Sequence, residues 1–244
     1  MSEIRTPPGS LLVVGAHAAD FVWRAAGTLA LHTAAGWRAT VVALSYGERG
    51  ESGDLWKAPS QTVENVKRVR HEECALAAAE IGADLVPFDL GDYPLEVPPE
   101  AVARLVEVMR EVRPDVVITH TPADPFNPDH PVAFAAADRA RKLAMGAAGV
   151  ASAFATIPPP RLYLFEPHHP EQCGFRPDTF VDFTAVAERK EAAMAAMAAQ
   201  SYLRDHYRQR ATQRAVQARY FGAGAGTRCV EAFQLTTPRL TERL

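Results

Sequence analysis

The sequence predicts an α/β fold in which a mainly parallel sheet lies between two layers of helices. Short apolar segments alternate along the chain with longer segments of helical periodicity, which is the order of repeated βαβ units. Each short segment is apolar along its whole length, without alternating polar residues, as expected for strands buried on both faces. The 244 residues contain no internal repeat and no linker, so we expect a single domain over residues 1–244.

The first half of the chain contains four predicted strands and three predicted helices. Pro87 lies in the third strand and indicates an edge position or a bulge, because proline cannot donate to a neighbouring strand. Gly36 and Gly82 end the first two helices, and Pro99 suits the start of the third. The strands are expected at 11–16, 40–44, 85–88 and 116–119, and the helices at 22–35, 62–81 and 99–112.

The second half is less regular and ends in a long region rich in Ala, Arg and Gln. Region 186–220 is expected to form two helices with a break at 204–210. Its Ala-rich helices, with Met194 and Met197, indicate a packing surface, and we therefore expect a homo-oligomer. The other elements are expected as a helix at 130–147 and strands at 161–165 and 179–182.

Composition argues against several classes of function. The 26 basic and 29 acidic residues give a net charge of -3, so no broad basic field attracts nucleic acid. The longest uncharged stretch, 143–160, is mostly Ala and Gly and ends in three prolines, so no membrane span is expected. Three cysteines without a CxxC pair, and an N-terminus without a signal-peptide pattern, predict a reduced, cytoplasmic protein.

Histidine and aspartate residues follow two of the predicted strands. Ligands of parallel sheets bind beyond the carboxyl ends of the strands, where His17 and Asp20 follow the first strand and His130 follows the fourth. Two imidazoles, one carboxylate and an open position are the ligand set of a catalytic zinc ion. The same residues could instead cap helices, with Asp20 as an N-cap, and their spacing alone does not decide.

Two short motifs make the chain similar to a known family. His17-Ala-Ala-Asp20 after the first strand, and Asn127-Pro-Asp-His130 at the start of a helix, resemble the motifs of the PIG-L/LmbE superfamily of zinc-dependent N-acetylglucosaminyl deacetylases. The resemblance implies a Rossmann-like, three-layer α/β/α fold. It also implies that His17, Asp20 and His130 hold Zn²⁺, although such nitrogen and oxygen ligands also accept other divalent metals.

Two departures from these motifs argue against ordinary amide hydrolysis. Ala19 stands where the deacetylases have the carboxylate that activates water, and Asn127 stands where they have the histidine that stabilises the oxyanion. General acid–base assistance contributes about 10²–10⁴-fold to a rate, so its loss requires different chemistry or none.

Longer segments are similar to one group within the superfamily, the 4-oxalomesaconate hydratases of gallate and protocatechuate degradation. They are residues 17–24, 45–57, 90–95 and 165–174. The resemblance implies a hydro-lyase that adds water to 4-oxalomesaconate and gives 4-carboxy-4-hydroxy-2-oxoadipate. Two alternatives remain: a zinc deacetylase of an N-acetylated sugar or thiol conjugate with another base, or a non-catalytic member that binds a ligand.

The resemblance also implies roles for residues outside the ligand set. Glu48, in the loop after the second strand, and His168 are predicted to transfer protons, with His169 as a competitor for the second role. Asp129 either orients a ligand histidine or caps the helix. The substrate is expected to be a small polycarboxylate bound by Arg49, Arg24 and Asn127.

Four further arginines lie close together in the last helical region. We expect this run to form a solvated face or an oligomer contact, as charge runs usually do. The residues are Arg204, Arg208, Arg210 and Arg214.

Overall fold

The computed structural model describes residues 8–146 and 152–238, and a seven-stranded sheet forms its centre. Five strands run parallel, and the last strand along the chain pairs antiparallel with both of its neighbours. The strands are β1 (Ser10–Gly15), β2 (Arg38–Ala43), β3 (Asp84–Pro87), β4 (Val116–Thr119), β5 (Arg161–Phe165), β6 (Thr179–Asp182) and β7 (Val230–Leu235). Their spatial order is β3-β2-β1-β4-β5-β7-β6.

Six α-helices cover the two faces of this sheet. They are α1 (Asp20–Ala34), α2 (Val63–Ile81), α3 (Pro99–Val112), α4 (Asp129–Met145), α5 (Ala187–Ala196) and α6 (Leu203–Tyr220). Alternate residues of β1 enter opposite cores: Leu11 and Val13 pack with α1, α2 and α5, whereas Leu12 and Val14 pack with α3 and α4. This arrangement confirms the predicted three-layer α/β/α class.

Local sequence signals explain most of the element boundaries. Thr62 caps α2 by accepting a hydrogen bond from the backbone N–H of Asn65, and Gly82 ends that helix with φ of 70°. Strand β3 lies at the edge of the sheet, as Pro87 predicted. The predicted end of the fourth helix, Ala147, lies outside the described residues.

One sequence expectation about the C-terminal region is wrong, and one strand there was left out. The two last helices are separated at residues 197–202, not at 204–210, because Tyr207 and Ala211 are buried along one face of an unbroken α6. Strand β7 was not anticipated. Its Glu231 is buried inside the protein and interrupts the apolar pattern by which a central strand is normally identified.

The sheet order places the candidate site. Strand β1 lies between β2 and β4 and is parallel to both. The carboxyl ends of these three strands therefore lie at the same edge of the sheet. The loops after these three strands therefore meet at a topological switch point, where open α/β sheets bind ligands. In the described ranges, no helix combines the length and apolar character needed to cross a membrane.

Candidate metal centre and active site

Four side chains from these loops converge on one point. His17, Asp20, Glu51 and His130 each present one ligand atom, and these atoms all lie within 4.8 Å of one another. His17 follows β1, Asp20 is the first residue of α1, Glu51 lies in the loop after β2, and His130 is in the first turn of α4. The three residues expected to bind metal are thus brought together, and Glu51 joins them.

The ligand atoms themselves fit a divalent cation. His17 Nδ1 and His130 Nε2 are buried, and among the described residues neither makes a hydrogen bond. Such unsatisfied buried nitrogens are costly without a partner, and a metal ion would supply one. Mixed imidazole and carboxylate ligands suit zinc and other first-row divalent metals.

Carboxylates hold the other nitrogen of each ligand histidine. His17 Nε2 donates to Asp129 Oδ2 at 3.1 Å, and His130 Nδ1 donates to Asp124 Oδ2 at 2.8 Å. This arrangement fixes ring orientation and tautomer, as is usual for histidine ligands. Asp129 also accepts the backbone N–H groups of Tyr93 and Leu95, so its carboxylate orients a ligand and does not cap α4.

Asp20 is held as a carboxylate by its neighbours. Its Oδ1 accepts from Arg24 Nη1 at 2.6 Å, and its Oδ2 lies 2.9 Å from His120 Nε2. Burial opposes ionisation, but the contact with His120 and the positive charge of Arg24 hold the pKa of Asp20 well below its usual range. His120 also stacks on His130, with ring centroids 3.9 Å apart. Sequence reasoning assigned His120 no role, although its position directly after β4 was a signal.

Sequence reasoning also missed Glu51, which a tight turn brings back over His17. Gly47 has φ of 70°, and its carbonyl accepts from the Glu51 N–H and the Ser52 hydroxyl. Asn127 Nδ2 donates to Glu51 Oε1 at 3.1 Å. Burial opposes ionisation, but His17 lowers the pKa of Glu51 well below its usual range, so Glu51 is a carboxylate.

The same turn directs Glu48 to a different environment. The Glu48 carboxyl is buried beside Lys67 and Asp92. It belongs neither to the four-residue group above nor to the second group of possible ligand atoms among the described residues, that of His17, Asp92 and Asp129. Arg49 is exposed, and its Nη1 donates to the backbone carbonyl of Asp92 at 3.0 Å. The roles predicted for Glu48 and Arg49 stay predictions, and the structure does not place either side chain among the ligands.

Arg24 lies beside the ligands with part of its guanidinium unused. It is 4% exposed, and only its Nη1 is paired; its Nε and Nη2 are buried and without hydrogen-bond partners in the described structure. A buried guanidinium with two free nitrogens is suited to a ligand carboxylate. The arrangement supports the substrate contact predicted for Arg24 but does not test it.

His168 lies in the same electrostatic environment. Burial, followed by the positive charge of Arg24, lowers the pKa of His168 to about 3. The Tyr207 hydroxyl lies 3.4 Å from His168 Nδ1. Its competitor His169 is exposed to solvent, with its ring 4.4 Å from that of Phe126. The two histidines thus differ sharply in environment.

Part of the arginine run supports His168 rather than facing solvent. Arg210 and Arg214 both donate to the buried carboxylate of Glu166, and Arg210 Nη2 also donates to the His168 carbonyl at 3.1 Å. For these two residues the expectation of a solvated face is therefore wrong. Arg208 meets the expectation, since it is exposed and pairs with Glu191.

Comparisons with known proteins agree with this geometry. The PIG-L family profile, described as GlcNAc-PI de-N-acetylase, matches residues 12–141. The chain is 46% identical to a 4-oxalmesaconate hydratase of Pseudomonas putida over 245 aligned positions, covering 99% of this chain and 95% of that protein. It is 33% identical over 160 positions to a 1D-myo-inositol 2-acetamido-2-deoxy-alpha-D-glucopyranoside deacetylase of Streptomyces griseus, covering 57% of this chain and 50% of that protein.

A solved structure gives the same result at the level of the fold. The crystal structure of GalB, the 4-carboxy-2-hydroxymuconate hydratase from Pseudomonas putida KT2440, superposes with a TM-score of 0.92 at 44% identity. The match covers 97% of this chain and 99% of that one.

Proposed function

This chain belongs to the PIG-L family, and from that premise we propose that it is a metal-dependent hydratase of 4-oxalomesaconate. The product is 4-carboxy-4-hydroxy-2-oxoadipate, and the reaction belongs to gallate and protocatechuate degradation. The observation that carries the proposal is 46% sequence identity to a hydratase over nearly the whole chain, combined with alanine at position 19. The names of these two relatives describe keto and enol forms of one tricarboxylic acid, so both point to the same substrate.

We propose zinc as the metal, held by His17, Asp20 and His130, with Glu51 beside it. The two free imidazole nitrogens and the ionised Asp20 support this assignment. Zinc bound there would supply Lewis-acid chemistry, which stabilises negative charge developing on an oxygen. Asp129 and Asp124 hold the ligand rings in place for it.

Glu51 is proposed to accept the proton of the attacking water. Its carboxylate is ionised, lies against the ligand atoms, and is oriented by the amide of Asn127. Hydration expels no amine, so it needs no group that protonates one, and Glu51 can activate water in place of the carboxylate that Ala19 replaces. Glu51 takes over the proton-transfer role that the sequence assigned to Glu48.

His168 is proposed to return a proton to the carbon next to the hydroxylated one. The donor is the imidazolium form of His168, in which Nδ1–H donates to the Tyr207 oxygen and Nε2 gives its proton to the carbon; the proton that Glu51 takes from water then returns to the ring through solvent. Arg24 is one cause of the low pKa of His168, so a substrate carboxylate that pairs with Arg24 would raise that pKa. Substrate binding thus brings the ring closer to the range in which it transfers protons.

The substrate carboxylates are proposed to bind Arg24, Arg49 and Asn127. Arg24 offers two buried nitrogens and is the strongest of the three. Arg49 is exposed beside the same loop, and the Asn127 amide already contacts Glu51. A cationic pocket is needed because the net charge of the chain is -3 and the substrate is an anion.

A deacetylase is the second candidate, and Glu51 is the observation that favours it. Its carboxylate could replace the base missing at Ala19, and the Streptomyces griseus relative acts on an acetamido sugar. Incubation of the zinc-loaded protein with 4-oxalomesaconate and with N-acetylglucosamine conjugates separates the two. Hydration without acetate release supports the first proposal, and acetate release without hydration overturns it.

Two further properties are proposed rather than observed. The first is that the chain is catalytic. Metal analysis in the same experiment tests this, because one zinc per chain together with substrate turnover would exclude a non-catalytic family member.

The second is that the enzyme is homo-oligomeric and cytoplasmic. Exposed Tyr220 and Phe221 at the end of α6 offer apolar surface for self-association, which light scattering on the purified protein measures.

A further inference from the structure

Glu48 is a buried carboxyl group whose hydrogen-bonding capacity is unmet. Its side chain is 0% exposed, and neither oxygen receives an N–H or O–H donor from the described residues. The nearest cation is Lys67, whose Nζ lies 3.6 Å from Glu48 Oε1 but only 2.6 Å from Asp89 Oδ1. An ionised carboxylate in this position would be poorly compensated.

The carboxylate of Asp92, beside Glu48, already accepts hydrogen bonds from backbone N–H groups. Asp92 is fully buried, and it accepts the N–H of Arg49 at 2.9 Å and the N–H of Gly50 at 2.7 Å. Burial raises the pKa of Glu48, and the negative charge of Asp92 raises it further. Two neighbouring carboxyl groups are stabilised when one of them carries a proton.

We propose that Glu48 is a protonated carboxylic acid that donates a hydrogen bond to Asp92 and thereby positions the turn that carries Glu51. Glu48 is then a positioning residue and not a catalytic one. The inference rests on the proposed function in one respect, the assignment of Glu51 as the proton acceptor.

The contacts of Asp92 explain how this effect would reach the active site. Arg49 and Gly50 immediately precede Glu51, so their bonds to Asp92 fix the backbone from which its carboxylate extends. The next residue, Tyr93, donates its backbone N–H to Asp129, the carboxylate that orients His17. Asp92 therefore joins the turn of Glu51 to the support of a ligand histidine.

The surroundings of Glu48 hold its side chain toward Asp92. Its carbonyl accepts from Trp56 Nε1 at 2.6 Å, which fixes its backbone. On the other side Gly91, with φ of 80°, precedes Asp92, and a Cβ there would lie 3.7 Å from Glu48 Oε1. The close approach of these two segments is what brings the carboxyl groups together.

The test compares Glu48→Gln, Glu48→Ala and Glu51→Gln as full-length, zinc-loaded proteins. The glutamine amide of the first variant donates the same hydrogen bond, so kcat should stay within about threefold of the parent, whereas Glu48→Ala should lose about tenfold or more. Zinc content and KM should change little in either. Glu48→Gln as inactive as Glu51→Gln, or Glu48→Ala as active as the parent, would overturn the proposal.

An infrared measurement tests the protonation state without relying on activity. The parent should show the C=O band of a protonated carboxyl group near neutral pH, and Glu48→Gln should lack it. Absence of that band in the parent contradicts the proposal even if Glu48→Ala fails to fold. If Glu51→Gln keeps full activity, the assignment of Glu51 fails, and the infrared band alone decides the state of Glu48.

Discussion

His17 Nδ1 lies 3.2 Å from Glu51 Oε1, so a carboxylate lies directly beside a histidine nitrogen of the candidate metal centre. The two residues come from loops that follow neighbouring parallel strands. Their contact places an ionised carboxylate among the candidate ligand atoms of a chain whose deacetylase-like motif has Ala19 in place of the base. The candidate site thus combines side chains that could hold a metal ion with a carboxylate from a different loop.

Removal of the Glu51 charge should abolish most of the activity. Glu51→Gln keeps the shape and the contact with Asn127 but cannot accept a proton, so kcat should fall by about 10²–10⁴-fold. Glu72→Gln is the matched control, because Glu72 is exposed on α2. Steady-state hydration rates at saturating zinc measure both. A Glu51→Gln variant as active as the control would remove Glu51 from the mechanism.

Loss of a ligand histidine should appear first in metal content. His130→Ala removes one of the two buried imidazole nitrogens that lack a partner among the described residues, so the purified variant should retain far less than one zinc per chain and little activity. His71→Ala, at an exposed position on α2, should keep the parent's zinc content. Elemental analysis after gel filtration decides, and full zinc occupancy in His130→Ala would disprove the ligand assignment.

The charge of Arg24 should contribute to the low pKa of His168. Burial and then the charge of Arg24 lower that pKa to about 3, so Arg24→Met should raise it and Arg24→Lys should leave it low. Both variants lose the guanidinium fork, so both should raise KM for the tricarboxylate. NMR titration of the His168 ring measures the first effect. An unchanged pKa in a folded, zinc-bound Arg24→Met protein would contradict the electrostatic coupling.

The buried ion pair between Glu231 and Lys190 should contribute strongly to the free energy of unfolding. Glu231 accepts the backbone N–H groups of Gly27 and Thr28 in α1 and the ammonium of Lys190 at 2.6 Å. Glu231→Ala leaves that cation buried and unpaired, so the free energy of unfolding should fall by about 3–5 kcal/mol. Glu188→Ala, exposed at the start of α5, is the control. Urea unfolding that gives equal midpoints for the two variants would rule out this role.

Much of the fold was predictable because local signals and tertiary packing agree in the first half of the chain. The edge position of β3 follows from Pro87, and the two-sided burial of β1 follows from its uninterrupted apolar run. Strand β7 was not predictable, because Glu231 serves a contact with α1 that no local pattern encodes.

Only the site residues that belong to the sequence motifs were predictable. His17, Asp20 and His130 stand at recognisable positions, whereas Glu51 and Glu48 lie in one polar loop and differ only in where a turn directs them. That direction depends on the left-handed Gly47 and on Asp92 from another segment, neither of which sequence spacing reveals.

The most direct test of the proposed activity is hydration in heavy-oxygen water. Zinc-loaded protein is incubated with 4-oxalomesaconate, and the product is analysed by mass spectrometry and NMR. We expect 4-carboxy-4-hydroxy-2-oxoadipate with one heavy oxygen in its new hydroxyl group, formed by the parent and not by Glu51→Gln. No hydration by the zinc-loaded parent, together with acetate release from an N-acetylglucosamine conjugate, would contradict it.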